Sequence, residues 1–84
     1  MKLLFQNYEG KERAIADVNS FTEANEEMDK FMSERNFKSY YKRMWNKDNN
    51  LFIDVGSWSE FFIIEDYSLE DVNKELEALN KEDL

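Results

Sequence analysis

Residues 37–66, FKSYYKRMWNKDNNLFIDVGSWSEFFIIED, decide the fold because they contain three predicted strands joined by short turns. The strands are predicted at residues 37–46, 51–55 and 59–66. The turn between the first two is the polar run KDNN, in which Asp48 and Asn49 tolerate the left-handed backbone of a tight hairpin. Gly56 and Ser57 mark the second turn. Because links this short join antiparallel neighbours, the segment is predicted to be an antiparallel meander.

The alternation of side chains divides these strands into two faces. In the middle strand Leu51 and Ile53 share one face, and Phe52 lies on the other. The last strand is apolar on both faces, which leaves two interpretations open. It is a central strand covered on both sides, or Phe52, Phe62 and Ile64 lie together on a face that two helices cannot cover. An exposed patch of that kind usually marks an interaction surface.

The chain before this segment predicts a hairpin. Residues 2–8 form a strand, Gly10 supplies the turn, and residues 11–18 form the returning strand. On the returning strand, alternation places Ala14, Ala16 and Val18 on one face and Arg13, Ile15 and Asp17 on the other.

Two helices complete the chain. Ser20 and Glu23 have the spacing of a capping box, in which each side chain bonds the other residue's backbone amide, and the first helix is predicted to end near residues 35–36. Ser68 is the predicted cap of the second helix, and residues 81–84 are expected to fray. The apolar stripe of the second helix is Leu69, Val72, Leu76 and Leu79.

The order β-β-α-β-β-β-α predicts an α+β fold with one antiparallel five-stranded sheet and both helices packed on one face. Eighty-four residues suffice for one hydrophobic core, so residues 1–84 are expected to form a single domain. The pattern leaves the strand order open, because two blocks of strands can join in more than one way.

Composition argues against an enzyme. The chain contains neither histidine nor cysteine, and the glycines are Gly10 and Gly56, so no phosphate-binding loop is present. We expect no catalytic residue, no cofactor and no metal site. The absence of cysteine fits a reducing compartment, and the N-terminal apolar run is too short for a signal peptide or a membrane span. The expected location is the cytoplasm.

The formal net charge of −8 suggests a first binding hypothesis. Glu23, Glu26 and Glu27 lie on the outer side of the first helix and are candidate contacts for another protein, as are Phe52, Phe62 and Ile64 on an open sheet face. One form of this hypothesis is an acidic inhibitor that mimics nucleic acid, because carboxylates at helical spacing can replace phosphates. The alternative for the glutamates is an ordinary solvated helix surface.

A second hypothesis comes from residues 35–47, RNFKSYYKRMWNK, which hold five positive charges and no acid. Aromatic rings interleaved with cations resemble a single-strand nucleic-acid platform, whose contacts would be Lys38, Tyr40, Lys42, Arg43 and Trp45. The alternative is that the rings are core residues and the cations pair with nearby acids. Because the chain is acidic, nucleic acid is the less favoured partner. A third hypothesis is a homodimer joined through Phe52, Phe62 and Ile64.

Residues 36–65 also resemble small proteins of phages and prophages of Gram-positive bacteria. The matching residues are Phe37, Lys38, Tyr40, Tyr41, Arg43 and Trp45, followed by Asp54, Val55, Gly56, Ser57, Glu60, Phe61 and Phe62. The resemblance covers about a third of the chain and implies a phage early or accessory protein. Such proteins often bind a host protein, and some inhibit host defence. The resemblance assigns no functional residue.

Overall fold

The computed structural model describes residues 1–39, 41–57 and 59–82, with side chains described as far as residue 79. Within this part of the chain the elements follow the predicted order β-β-α-β-β-β-α. The strands are β1 Lys2–Gln6, β2 Glu12–Asp17, β3 Arg43–Lys47, β4 Asn50–Asp54 and β5 Phe61–Ile64. The helices are α1 Phe21–Glu34 and α2 Leu69–Glu82. The predicted α+β fold is confirmed.

The five strands form one antiparallel sheet in the order β2-β1-β5-β4-β3. The β1–β2 and β3–β4 hairpins are therefore joined by β5, which pairs with β1 on one side and with β4 on the other. The register places Leu3 opposite Ile64 and Phe5 opposite Phe62. This strand order is the feature that the sequence pattern left open.

Both helices pack on one face of the sheet, called here the inner face. Residues from three strands and both helices form one core cluster there. The cluster includes Leu3 and Phe5 of β1, Leu51 and Ile53 of β4, Phe62 and Ile64 of β5, Phe21, Ala24, Met28 and Met32 of α1, and Val72 of α2. The opposite face, called the outer face, carries no helix of the described chain.

The prediction that Phe62 and Ile64 lie with Phe52 on an open face is wrong. Phe62 is 1% exposed and Ile64 is 0% exposed, and both are in the core beneath the helices. The register gives the reason, because Phe52 lies opposite Ile63, whereas Phe62 lies opposite Ile53. Directly opposed residues share a face, so Phe52 shares the outer face with Ile63. The interpretation of the last strand as a central strand is the correct one.

The returning strand β2 does not alternate as predicted. Leu3 lies opposite Ala16 and Leu4 lies opposite Ala14, so Ile15 is an extra residue without an opposed partner. This is the geometry of a β-bulge, which shifts the alternation by one residue. Ala14 and Ala16 consequently lie on opposite faces, and Arg13 lies opposite Phe5 on the inner side.

Strand β3 begins at Arg43, six residues later than predicted. Asn36 ends α1 in the left-handed region at φ 56°, and the Phe37 amide donates to the Met32 carbonyl at 2.9 Å. The described residues between this helix end and Arg43 form a loop, in which the Ser39 hydroxyl donates to the Tyr41 carbonyl at 3.0 Å. Tyr40, a predicted strand residue, lies outside the described residues.

Helix starts follow the predicted caps, with one difference. The Ser20 hydroxyl accepts from the Glu23 amide at 3.1 Å, but the Glu23 carboxylate accepts from the amide of Asn19 rather than that of Ser20. In α2 the box is reciprocal, because Ser68 Oγ accepts from the Asp71 amide and Asp71 Oδ2 accepts from the Ser68 amide. Both helices are therefore fixed at their first turn.

Only one member of the predicted apolar stripe of α2 is buried. Val72 is 1% exposed, whereas Leu69, Leu76 and Leu79 are 37–43% exposed. Polar contacts hold the start of the helix instead, because the Asn46 side chain donates to the Tyr67 carbonyl and accepts from the Leu69 amide, both at 2.9 Å. Fraying was predicted for residues 81–84, but the helix continues to Glu82, and residues 83–84 lie outside the described part of the chain.

Neither described helix combines the length and the apolar composition that crossing a membrane requires.

Candidate functional site

Three aromatic side chains from adjacent strands meet on the outer face. Trp45 of β3 stacks on Phe52 of β4, with ring centroids 6.0 Å apart and an interplanar angle of 23°. Phe61 of β5 meets Trp45 edge-on, at 5.7 Å and 83°. Trp45 is 36% exposed, and both phenylalanines are half-buried. We call Trp45, Phe52 and Phe61 the outer aromatic cluster.

The outer aromatic cluster continues into a buried apolar floor. Ile63 is fully buried, and it lies opposite Phe52 on one side and Leu4 on the other. Leu4 is also buried. The outer face therefore carries Trp45, Phe52 and Phe61, whereas Phe62 and Ile64 of the predicted set lie on the inner face.

An ion pair lies beside the outer aromatic cluster. Arg43 Nη2 donates to Asp54 Oδ2 at 2.8 Å, across the β3–β4 pair, and the Arg43 guanidinium carbon lies 4.9 Å from the centre of the Tyr41 ring. Burial opposes ionisation of Asp54, but the Arg43 hydrogen bond and the Gly56 amide at 2.9 Å outweigh it, and the pKa of Asp54 is lowered. Arg43 thus has a carboxylate partner within the fold.

The rim of the cluster carries charges of both signs. The Lys47 ammonium lies 5.8 Å from the centre of the Phe52 ring. A shallow depression beside the three rings is also lined by Glu12, Lys47 and Asp48. An apolar centre within a polar, mixed-charge rim is the usual anatomy of a protein–protein contact.

The structure divides the predicted nucleic-acid contacts between different surfaces. The Lys42 ammonium turns toward α1, where it donates to Asn25 and forms an ion pair with Asp29 at 3.3 Å. Lys38 lies exposed in the segment before β3. Arg43 and Trp45 lie on the outer face, and Tyr40 lies outside the described residues. The four described residues therefore do not form one platform.

The predicted acidic contacts are only partly available. Glu23 is occupied at the start of α1, where its carboxylate accepts from the Asn19 amide at 2.6 Å. Glu26 is exposed and Glu27 is half-buried. Asp29 on the same helix is paired with Lys42. The outer surface of α1 is therefore less uniformly negative than its sequence suggests.

Glu75 joins the two helices and was missed by the sequence interpretation. Its carboxylate accepts from the amides of Phe21 and Thr22 at 2.7 and 3.1 Å, and from the Tyr67 hydroxyl at 2.7 Å. Burial favours the neutral acid, but these hydrogen bonds prevail and lower the pKa of Glu75. Burial and the hydrogen bond to Glu75 raise the pKa of Tyr67. The available signal was an acid one turn after Val72, within the apolar side of α2.

Among residues 1–39, 41–57 and 59–82, no group of three or more potential metal-ligating side chains could hold a metal ion. Comparison of the chain with models of known protein families, with curated proteins and with solved structures found no match. The function must therefore be argued from this chain's own surfaces.

Proposed function

We propose that this chain is a non-enzymatic accessory protein that acts by binding another protein through its outer aromatic cluster. The observation that carries the proposal is the position of Trp45, Phe52 and Phe61 on three adjacent strands, on the face without a helix. Large aromatic side chains are enriched at the centres of protein interfaces, because they bury much apolar area at a small entropic cost. A mixed-charge rim around them favours a protein partner.

We further propose a phage origin and a target in the cytoplasm of a Gram-positive host. The support is the resemblance of residues 36–65, a segment that includes β3, β4 and β5 and so all three rings of the outer aromatic cluster. The partner is a host or phage protein that presents an apolar patch to this cluster.

An acidic inhibitor that mimics nucleic acid is the other form of the same proposal. The net charge of −8 and the exposed Glu26 support it. The hydrogen bond of Glu23 and the ion pair of Asp29 reduce the charge available on α1, so we assign the main contact to the outer face. The two forms differ in salt dependence, because exposed charges are screened within about 8–10 Å at physiological ionic strength.

The test is capture of partners from a nuclease-treated host lysate by the tagged wild-type protein and by two variants. One variant is Trp45→Ala with Phe61→Ser, and the other is Glu26→Gln with Glu27→Gln. Contact through the outer aromatic cluster predicts a partner that survives high salt, is lost with the first variant and is retained by the second. Two results together would assign the contact to α1 instead: the wild-type protein loses the partner at high salt, and only the glutamine variant fails to capture it at low salt. Equal capture by all three proteins would reject both surfaces.

A matched control separates a specific contact from nonspecific binding by an exposed aromatic ring. Tyr8 is 72% exposed in the turn that follows β1, and it does not line the depression beside the three rings. Tyr8→Ala removes an exposed ring without changing the cluster, so it should leave capture unchanged. Circular dichroism of each variant confirms that the fold persists.

A second candidate function is single-stranded nucleic-acid binding on the same face. The observation in its favour is that Arg43 and Lys47 of β3 flank Trp45, on which a base could stack. Stacking on Trp45 would quench its fluorescence when an oligonucleotide is added at low salt, and Trp45→Phe would abolish that change. Unchanged wild-type fluorescence at low salt would reject this function.

A homodimer is the third candidate. With Phe62 and Ile64 buried, a dimer that uses Phe52 would have to be completed by Trp45 and Phe61. Light scattering at increasing protein concentration distinguishes it, because a constant monomer mass would exclude a self-contact and leave the cluster for another protein.

A further inference from the structure

Two arginines of the inner face lie against the same aromatic rings. The guanidinium carbon of Arg35, at the end of α1, lies 5.0 Å from the centre of the Phe5 ring and 5.1 Å from that of Phe31. The guanidinium carbon of Arg13, on β2, lies 5.5 Å from the centre of the Phe31 ring. Phe5 and Phe31 are themselves 4.8 Å apart. Both guanidinium groups therefore lie against the Phe31 ring.

Neither guanidinium is neutralised within the described side chains. The ion pairs there involve Lys11, Lys42, Arg43 and Lys74, and none joins Arg13 or Arg35 to a carboxylate within 4.0 Å. This is unexpected in a chain with 19 acidic residues. A cation–π contact uses the flat face of a guanidinium and leaves its N–H groups free to donate at the edge. Both arginines therefore keep donors for an anion.

A third cation completes the cluster. Lys11, Arg13 and Arg35 line one cavity of about 280 Å³, together with Phe5 and Asn7, and Glu12 is the acid in its lining. Lys11 has a contact with Glu9 at 3.8 Å, but both side chains are more than half exposed and the pair contributes little. We call Lys11, Arg13 and Arg35 the cationic cluster. Three cations against one acid leave this cavity positive.

An apolar cavity adjoins the cationic one and shares Phe5 and Arg35 with it. Its volume is about 230 Å³. Its remaining lining is Phe31, Met32, Phe37, Val55 and Phe62, with Ser57 and Glu60 at the polar side. The Ser57 hydroxyl donates to Glu60 Oε1 at 3.0 Å. Arg35 therefore lines both the positive cavity and the cavity with mostly apolar side chains.

We propose that these two cavities bind a small molecule in which a phosphate group is attached to a flat aromatic group. The phosphate would lie on the cationic cluster, because arginine presents a planar fork of donors that matches phosphate oxygens. The aromatic part would enter the second cavity beside Phe31 and Phe37, which are the half-buried rings of its lining. A mostly apolar pocket with a few converging polar groups is the usual form of a small-molecule site. The cationic cavity shares Glu12 with the depression beside the outer aromatic cluster, but none of the three cations of the cationic cluster lines that depression.

Nucleoside monophosphates and simple aryl phosphates share this chemistry, so the experiment uses both. Adenosine monophosphate, phenyl phosphate, inorganic phosphate and adenosine are added separately to isotope-labelled protein, and amide shifts are followed by NMR. We expect saturable shifts with a dissociation constant below about 1 mM for at least one aromatic phosphate, at residues around Phe5, Arg13 and Arg35. Inorganic phosphate and adenosine alone should bind at least about tenfold more weakly, equivalent to about 1.4 kcal/mol. The aromatic phosphate that binds more tightly shows whether the site prefers a nucleoside monophosphate or a simple aryl phosphate.

Matched variants test the residues. Arg13→Gln with Arg35→Gln should weaken binding at least about tenfold. Arg35→Lys keeps the charge but loses the planar fork, so it should also weaken binding. Lys30→Gln removes an exposed cation of α1 outside both cavities and should leave the affinity within about twofold, less than 0.5 kcal/mol.

Three results would overturn the proposal. The first is the absence of saturable shifts with either aromatic phosphate, and the second is equal binding of inorganic phosphate. The third is an equal loss of affinity in Lys30→Gln and the double arginine variant, which would indicate attraction to charge alone. Thermal unfolding of each variant verifies that the comparison is made between folded proteins.

Discussion

The carboxylate of Glu75 accepts a hydrogen bond of 2.7 Å from the backbone amide of Phe21, the first residue of a helix that begins 54 residues earlier in the chain. The amide of Thr22 donates to the same carboxylate at 3.1 Å. The first amides of a helix lack intrahelical acceptors and carry the positive end of its dipole. A single side chain of α2 therefore satisfies two donors of α1 and supplies the favourable charge.

Replacing Glu75 by glutamine should destabilise the fold. Glutamine retains one acceptor oxygen but loses the charge that strengthens these hydrogen bonds, so we expect a loss of about 1–2 kcal/mol in the free energy of unfolding at pH 7. Urea denaturation followed by circular dichroism measures it. Glu77→Gln, on the same helix but exposed, removes the same charge and should change stability by less than about 0.5 kcal/mol. Equal losses in both variants would show that the helix contact contributes nothing.

The contribution of Glu75 should depend on pH. Its pKa is lowered in the folded protein from the usual 4.5, so the ionised side chain stabilises the fold more than the protonated side chain does. The stabilisation is complete above pH 4.5 and is lost as the pH falls through the lower folded-state pKa. The stability difference between wild type and Glu75→Gln should be constant from about pH 6 to 8 and shrink in acid. A difference that grows below pH 4 would contradict the direction of the shift.

Phe62 and Phe52 should differ sharply in their contributions to stability, although the sequence interpretation grouped them. Phe62→Ala empties a core position beneath both helices and should cost about 3–5 kcal/mol. Phe52→Ala removes a half-buried ring from the outer face and should cost about 1–2 kcal/mol. If Phe62→Ala does not fold, Phe62→Leu gives the same ranking at a smaller cost. Equal losses at the two positions would contradict the observed register.

The β3–β4 turn should be improved by a single glycine. Asp48 and Asn49 both have positive φ, 52° and 66°, as a two-residue type I′ hairpin requires. Asp-Gly is among the preferred pairs for this turn, because glycine enters the left-handed region without a steric penalty. Asn49→Gly should therefore raise the free energy of unfolding, measured by thermal unfolding. Asn25→Gly, in the interior of α1, is the opposite control and should lower it.

The alternation within β4 and β5 was predictable from sequence, because side chains in a strand change face at every residue. Phe52 and Ile53 were correctly assigned to different faces. Which of these faces meets the helices was not predictable, since β5 is apolar on both. The pairing of Phe52 with Ile63 puts Phe52 and Phe62 on different faces, and the core cluster shows that the helices cover the face of Phe62. Both depend on contacts between distant parts of the chain.

Other differences between the sequence prediction and the structure also have identifiable causes. The bulge at Ile15 changes the face of Ala14 without any glycine or proline to mark it. The cations were assigned to one surface by their proximity in sequence, but Lys42 and Arg43 are consecutive and find acids on opposite sides, Asp29 and Asp54. Arg13 and Arg35 come together only because β2 and the end of α1 converge on Phe31, which no sequence pattern expresses.

The central position of β5 also has a consequence for synthesis. A ribosome releases the chain from its N-terminus, so the β1–β2 and β3–β4 hairpins emerge before the strand that lies between them. Until β5 leaves the ribosome, β1 and β4 each present an unpaired apolar edge, and an isolated hairpin is only marginally stable. The nascent protein therefore passes through a stage at which most of its length has been made and its sheet is still in two separate pieces. Release of Phe61–Ile64 is the event that joins them into one sheet.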